Sequence, residues 1–312
     1  MLKFIIKRLL LMIPVVLGVT FLIFVIMSFT PGDPASIILG QEARPDEIAA
    51  LREELGLNQP LVVRYFNYIK GIVTRFDFGQ SYITRLSVKD EILRRFSYTI
   101  RVSIIAICIT VAIGVPLGVI AAVNRNTWKD TLAMTIAMLG ISIPNFWFGL
   151  MLAVVFSLYL GLLPSSGVGG FKYYIMPCIA VSIGGIASLA RQTRSSMLEV
   201  IRADYIVTAR AKGQVERKVI YQHALRNALI PVVTQIGTAF GHLVGGALVA
   251  ETVFSMPGLG TYMVTAINTR DYPAIQGAVI FVAVSFGLVM LLVDIVYAII
   301  DPRIRAQYKK GD

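Results

Sequence analysis

The residues that could do chemistry are few and scattered. No HExxH helix presents a metal to water, no serine sits in a nucleophile-elbow glycine pattern, and no GxxxxGK[ST] loop is present to cradle a nucleoside phosphate. The cysteines are Cys108 and Cys178, too few for a disulfide scaffold or a cysteine-rich zinc site. Inside the long apolar stretches the ionisable side chains are His242 and Asp294. Charge at membrane depth is costly and is kept where it has a use. His242 is the mid-span candidate for proton coupling; the competing reading is a hydrogen bond between helices. Asp294 is expected at interface depth or beside a basic partner. Ser142, Asn145, Thr234, Gln235, Thr238 and His242 are the polar side chains that could face a water-filled path. The expectation is a chain with no catalytic set, no metal site and no bound cofactor. Work driven by ATP would need an ATPase on another polypeptide.

The elements that must position these residues follow from composition. The chain has 312 residues, 56% hydrophobic and 15% charged, with mean hydropathy +0.73 and formal net charge +11. A soluble domain carries about 25% charged residues, and this sequence has too few to coat a water-facing surface. Disorder requires the opposite composition. The remaining class is an integral membrane protein, so the basic balance reads as loop charge rather than as affinity for nucleic acid. A helix crosses the hydrocarbon core with about 20 apolar residues. The runs 9–29, 102–123, 132–160, 173–190, 228–250 and 274–299 meet that length, the third and fourth separated by the turn signal LGLLPSSGVGG. No strand-like alternation of barrel length competes. The expected fold is all-α, with six transmembrane helices. The first run is too long for the core of a signal peptide, and SFTPGDPA is a poor cleavage site, so it reads as a retained anchor.

Lys and Arg crowd the segments that one orientation places inside: Lys3, Lys7, Arg8, Arg125, Lys129, the loop 191–226, and Arg303, Arg305, Lys309 and Lys310. Both termini are therefore expected in the cytosol. The division is a first span at 1–29, an external insertion at 30–101, and a five-helix core at 102–312. Within the insertion PDEIAALREELGL reads as a helix, with Pro45 in its first turn, early acids, and Gly56 as its stop. The amphipathic stretch PLVVRYFNYIKGIVTRF follows it. Gly237, Gly241 and Gly245, with Gly246 beside them, recur at a spacing that lets helix backbones approach closely, either within the chain or at a subunit interface. Gly114 and Gly118 flank Pro116 in the second span, and Pro144 and Pro231 mark kinks or helix starts.

The loop 191–226 is long, basic and helical in pattern. RADYIVTARAK runs to Gly213, which suits a left-handed stop, and a second helical stretch leads to Pro231. Helix, glycine and helix make a rigid elbow. Small residues Thr208, Ala209 and Ala211 at its tip would let another protein's cleft close around it. The competing reading is an amphipathic loop lying on anionic lipid.

DYIVTARAKG followed by HALRNALIP resembles the coupling loop of binding-protein-dependent ABC importers. MLKFIIKRLLLMIPVVLGVTFLIF with TPGDPA, DFGQSY, SYTIRVS, ISIPNFWFG, ETVFSMPGLG and VDIVYAIIDPRIR extend the resemblance over nearly the whole chain, to the B-type permease subunit of the dipeptide, oligopeptide and nickel systems. Val207 and Thr208 stand where the general ABC loop has Glu and its first Ala, and the stretch from Gly213 to Pro231 is longer; the peptide branch shares both departures. The resemblance implies a permease in a prokaryotic cell membrane that pairs with a second, homologous permease. Two cytosolic ATPases would bind the ATP and Mg, and an extracytoplasmic binding protein would deliver an oligopeptide or dipeptide. The same branch carrying nickel or another small solute is the alternative, and a self-sufficient secondary carrier the competitor from another class. Carried over by motif, Asp204, Tyr205, Thr208, Ala209, Arg210, Ala211, Lys212 and Gly213 would couple to the ATPase. Arg210 and Lys212 are its candidate docking charges, with positive-inside anchoring as their other reading. Residues 30–101 and the loop 251–260 would meet the binding protein.

Overall fold

The computed structural model describes residues 2–300 apart from Pro31, Gln41 and Gly246. The basic residues Arg303, Arg305, Lys309 and Lys310, Gly246 of the glycine stripe, and Pro31 of TPGDPA thus lie outside the described residues. The described chain is helical, and its one bridge of β type, Gln80 to Ser87, stands isolated.

Helix α1 (Leu2–Phe29) leads to three short helices, α2 (Pro34–Leu39), α3 (Pro45–Glu54) and α4 (Leu61–Arg75). Pro45 opens α3 and Glu47 closes a capping box on Arg44. Gly56 takes φ +65° just past its end. Next come α5 (Val88–Val123), α6 (Trp128–Ser142) and α7 (Asn145–Leu152), which continues as π-helical turns over Ala153–Tyr159. Helix α8 (Lys172–Val200) leads to α9 (Asp204–Ala211) and α10 (Glu216–Lys218), prolonged by π-helical turns over Val219–Ala224. Helix α11 (Leu225–Val244), α12 (Leu248–Val253), α13 (Leu259–Thr269) and α14 (Tyr272–Ile300) complete the described chain.

Among the described residues five helices are long and apolar enough to cross a membrane unbroken, and a bent pair makes up to six if it counts as one span. That pair corrects the reading of 132–160 as one helix. Helices α6 and α7 meet at 95°. Ile143 precedes proline and is driven out of the helical region to φ −85°, ψ 122°, which ends α6; Pro144 then caps α7. The fifth run is likewise interrupted, since α11 stops at Val244 and α12 starts at Leu248. The second span starts earlier than its charge-free run. Ser87 caps α5, accepting the Asp90 N–H, and the helix runs for 36 residues, about 54 Å. That exceeds the hydrocarbon core, so its charged first turns stand clear of the apolar zone.

Helices α5 and α8 form the centre. A Cβ on Gly118 would come within 2.5 Å of both the Ala190 carbonyl and the Thr193 side chain, and one on Gly114 within 3.0 Å of the Ile186 carbonyl. Glycine is required there because the two backbones nearly touch. Ser182 donates to the Ala106 carbonyl at 3.0 Å across the same seam. Helix α6 is tied to α8 by Arg194, which donates to both oxygens of buried Asp130 at 2.6 and 2.7 Å. Gly237, Gly241 and Gly245 face Val293, Phe286 and Val282 of α14, so the stripe packs within the chain. Met12 of α1 fills the notch at Gly287 of α14, and Arg8 pairs with Asp294 at 3.0 Å, the basic neighbour expected for that acid.

Candidate functional site

Three places on the bundle carry the residues of interest: the elbow at one end, a hollow in its middle, and two acid-centred corners at the opposite end, the cap end, which carries the 30–101 insertion. At the elbow, Ala203 is extended and Asp204 sits in the first turn of α9, where a carboxylate complements the helix N-terminus. The α9 residue that is fully buried is Ile206, at 0% exposure. It packs in a cluster with Val119 of α5, Met197 of α8, and Val219 and Ala224 of the next helix. The elbow is thus pinned to the ends of the two central helices by one aliphatic side chain. Gly213 takes φ +72° and its N–H donates to the Arg210 carbonyl at 2.9 Å; a side chain would be strained there. Across this turn Arg210 donates to both oxygens of Glu216, at 2.6 and 3.1 Å. That hydrogen bonding holds the guanidinium above its already high ordinary value. Tyr205 accepts from Asn227 Nδ2 at 2.7 Å, and Thr208 donates to the Asp204 carbonyl at 2.9 Å.

The remaining elbow surface is open. Asp204, Thr208, Ala211, Lys212 and Gly213 are exposed, and Ala209 is half-buried. The geometry splits the two candidate docking charges: Arg210 closes the turn internally, and Lys212 stands on the surface. Val207, at 57% exposure, and Val215 and Tyr221 add apolar surface that the sequence reading did not single out. The signal was Val207 itself, an apolar residue next to the one that anchors the helix.

The hollow lies where the two interrupted spans meet. A cavity of about 290 Å³ is lined by Asn145 at the start of α7, His242 near the end of α11, Thr110 of α5 and Gly185 of α8, with apolar walls including Ala247 and Leu248. It brings together two of the six path residues, Asn145 and His242. Thr110 was missed; its signal is a hydroxyl in the middle of an apolar span, placed against a glycine on the facing helix. His242 also lies against Phe286, with ring centroids 6.1 Å apart. The other four candidates do not line this cavity. Ser142 returns its hydroxyl to the Met138 carbonyl and Thr238 to that of Thr234, while Gln235 reaches Ser188 at 3.5 Å.

At the cap end the acids are buried and organise backbone. Glu251 accepts from the Thr99 hydroxyl at 2.6 Å and from the Thr261 N–H at 3.0 Å, and Thr99 in turn accepts the Leu259 N–H at 2.8 Å. Gly258 and Gly260 pack on this carboxylate, and a Cβ on Gly258 would overlap it. The segment ETVFSMPGLG is therefore a loop wrapped around its own glutamate. Asp271 is buried as well, accepting from the Ser81 hydroxyl and from the Tyr82 N–H at 3.0 Å, which fastens the DFGQSY segment to the turn before α14. Neither role was read from the sequence, because the partners are far apart along the chain.

Comparison with known proteins agrees with this architecture. Residues 1–104 match the family described as binding-protein-dependent transport system membrane component, N-terminal, and residues 114–306 match the binding-protein-dependent transport system inner membrane component family. Two proteins named glutathione transport system permease protein GsiC, from Salmonella typhimurium strain LT2 and Escherichia coli strain K12, are each 45% identical over 305 residues, covering 98% of this chain and 99% of theirs. Inward-facing structures of the MetNI methionine ABC transporter match with TM-scores of 0.56 and 0.58 at 18% identity, covering 67% and 68% of this chain and 96% of those chains; at that identity the likeness is one of fold. A chain whose described residues form a helical bundle, matched over 98% of its length by the GsiC permeases, belongs to the binding-protein-dependent inner membrane components: it is a permease component of the ABC-importer type.

Proposed function

We propose that this chain forms half of a translocation path for a small solute of about the size of a tripeptide, such as glutathione. The observation that carries this reading is 45% identity over 98% of the chain to permeases named for glutathione transport. The comparisons favour the small-solute alternative over the expectation of oligopeptide or dipeptide cargo. A hollow of about 290 Å³, with Asn145, His242 and Thr110 set among apolar walls, supports a compact cargo oriented by a few polar groups.

The elbow end faces the cytosol, as the basic residues of 191–226 favour, and the cap end faces outward. A second permease completes the path, two cytosolic ATPases drive it, and an extracytoplasmic binding protein delivers the solute. Helix α9 docks in the ATPase through Val207, Thr208, Ala211 and Lys212. ATP binding shifts the equilibrium of the bundle only to the extent that the closed ATPases hold α9 better in one state. Ile206 transmits the displacement to α5 and α8. Arg210 and Gly213 keep the elbow's shape.

The complete transporter, reconstituted with its partners in vesicles, tests the cargo. Radiolabelled glutathione should accumulate with ATP, and an extended hexapeptide and Ni²⁺ should not. Hexapeptide or Ni²⁺ uptake with no glutathione uptake would overturn the glutathione-sized cargo reading. Uptake by this chain alone, without nucleotide, would overturn the ABC mechanism.

A further inference from the structure

We propose that α4 lies within the bilayer leaflet at the cap end, with its outer stripe against lipid acyl chains, rather than in an aqueous cap. Helices α1 and α14 supply a depth scale. The Arg8–Asp294 pair marks one end of their contact, and the Tyr272 hydroxyl on the Gly32 carbonyl at 3.2 Å marks the other. From Arg8 to Phe29 helix α1 rises about 32 Å at 1.5 Å per residue, close to the hydrocarbon thickness of about 30 Å.

Helix α4 packs well inside that interval. The Tyr65 hydroxyl donates to the Leu17 carbonyl at 2.9 Å and lies 2.7 Å from the Thr20 hydroxyl. Its ring packs on Phe21 and Phe24 at centroid distances of 5.2 and 5.5 Å, and Tyr68 packs on Phe24. Phe21 and Phe24 lie about 12 and 8 Å below the end of α1 at the same rise per residue. An aqueous cap would place α4 above Phe29.

The faces of α4 suit that depth. Val62, Phe66 and Val73 form one stripe along the helix, exposed at 67%, 67% and 76%. The stripe flanks the side that packs on α1, where Tyr65 meets Phe21, and α1 is itself apolar and exposed at Phe21, Leu22 and Ile26. Contact with a membrane-facing helix identifies the occupant as lipid. On the other flank, Arg64, Asn67 and Tyr68 line a cavity of about 940 Å³ that also touches Asp33 and Arg85, which keeps the polar side wet. This is the distribution of an interfacial amphipathic helix.

The test uses the assembled transporter in phosphatidylcholine–phosphatidylglycerol vesicles, in a Cys108→Ser background. Nitroxide labels are attached at Phe66→Cys, Val73→Cys and Asn67→Cys, with Val62→Cys in reserve where Phe66→Cys fails to assemble. Collision with oxygen and with a water-soluble nickel chelate is then read at each site. Labels at 66 and 73 should favour oxygen severalfold, and the label at 67, on the cavity side, should favour nickel. Equal nickel access at all three sites would place α4 in water and overturn the proposal. Protection from both reagents at 66 and 73 would mean that another subunit covers the stripe, and would overturn it equally.

Discussion

The elbow and the loop around Glu251 are both short helical corners, and they are held by opposite means. Helix α9 is fixed by one buried aliphatic residue, one glycine turn and an exposed ion pair, and most of its surface is free. The 251–261 corner is fixed by a fully buried carboxylate with a hydroxyl and a backbone N–H on it, and by two glycines that fit against it. The difference teaches where each segment's polar groups are satisfied. At the cap corner they are consumed internally, which makes a rigid unit. At the elbow the polar pairs Arg210–Glu216 and Tyr205–Asn227 lie at an exposed surface, and the one fully buried anchor of α9 is Ile206.

The sharpest way to break this comparison is Glu251→Leu. It leaves the Thr99 hydroxyl and the Thr261 N–H buried without an acceptor, each costing about 1–3 kcal/mol. Thermal unfolding in detergent should fall markedly; an unchanged midpoint would mean that the corner does not depend on the acid. Ile206→Ala comes next. Cavity formation should cost about 2–4 kcal/mol, localised at the elbow. The expected phenotype is ATP hydrolysis by the complex with little uptake, and retained coupling would remove Ile206 as the transmitting residue. Gly213→Ala should cost about 1 kcal/mol, because alanine must adopt the left-handed conformation. Coupling should drop partially and recover with Gly213→Asn, which tolerates that conformation better. Arg210→Ala should have the smallest effect on stability, within the roughly 0–1 kcal/mol of an exposed pair, and added salt should erase even that. A large loss of ATPase docking in Arg210→Ala, measured by co-purification, would instead make the guanidinium a contact residue.

Much of the fold was legible because hydrophobic length is a one-dimensional property. The runs that became α1, α8 and α14 carry their own signal, and Gly213 announces a left-handed turn wherever it follows a helix. What escaped the sequence is three-dimensional. The run 132–160 is uniformly apolar, so hydropathy passes over the 95° bend at Pro144. The charged start of α5 lies outside the apolar zone, so a search for uncharged residues truncates a helix of 36 residues. Asn145 and His242 were identifiable as polar residues in apolar surroundings, but their meeting with Thr110 depends on two helix interruptions coinciding in space. Glu251 and Asp271 find Thr99 and Ser81 at sequence separations of 152 and 190, which no local pattern encodes.

The seam between α5 and α8 has a mechanical consequence. With Gly118 set against both the Ala190 carbonyl and the Thr193 side chain, the two helices have no slack at that point to absorb a displacement. A tug delivered through Ile206 reaches Val119 on one rod and Met197 on the other. If the elbow is pulled as proposed, the two rods are expected to tilt together about the glycines rather than slide past each other.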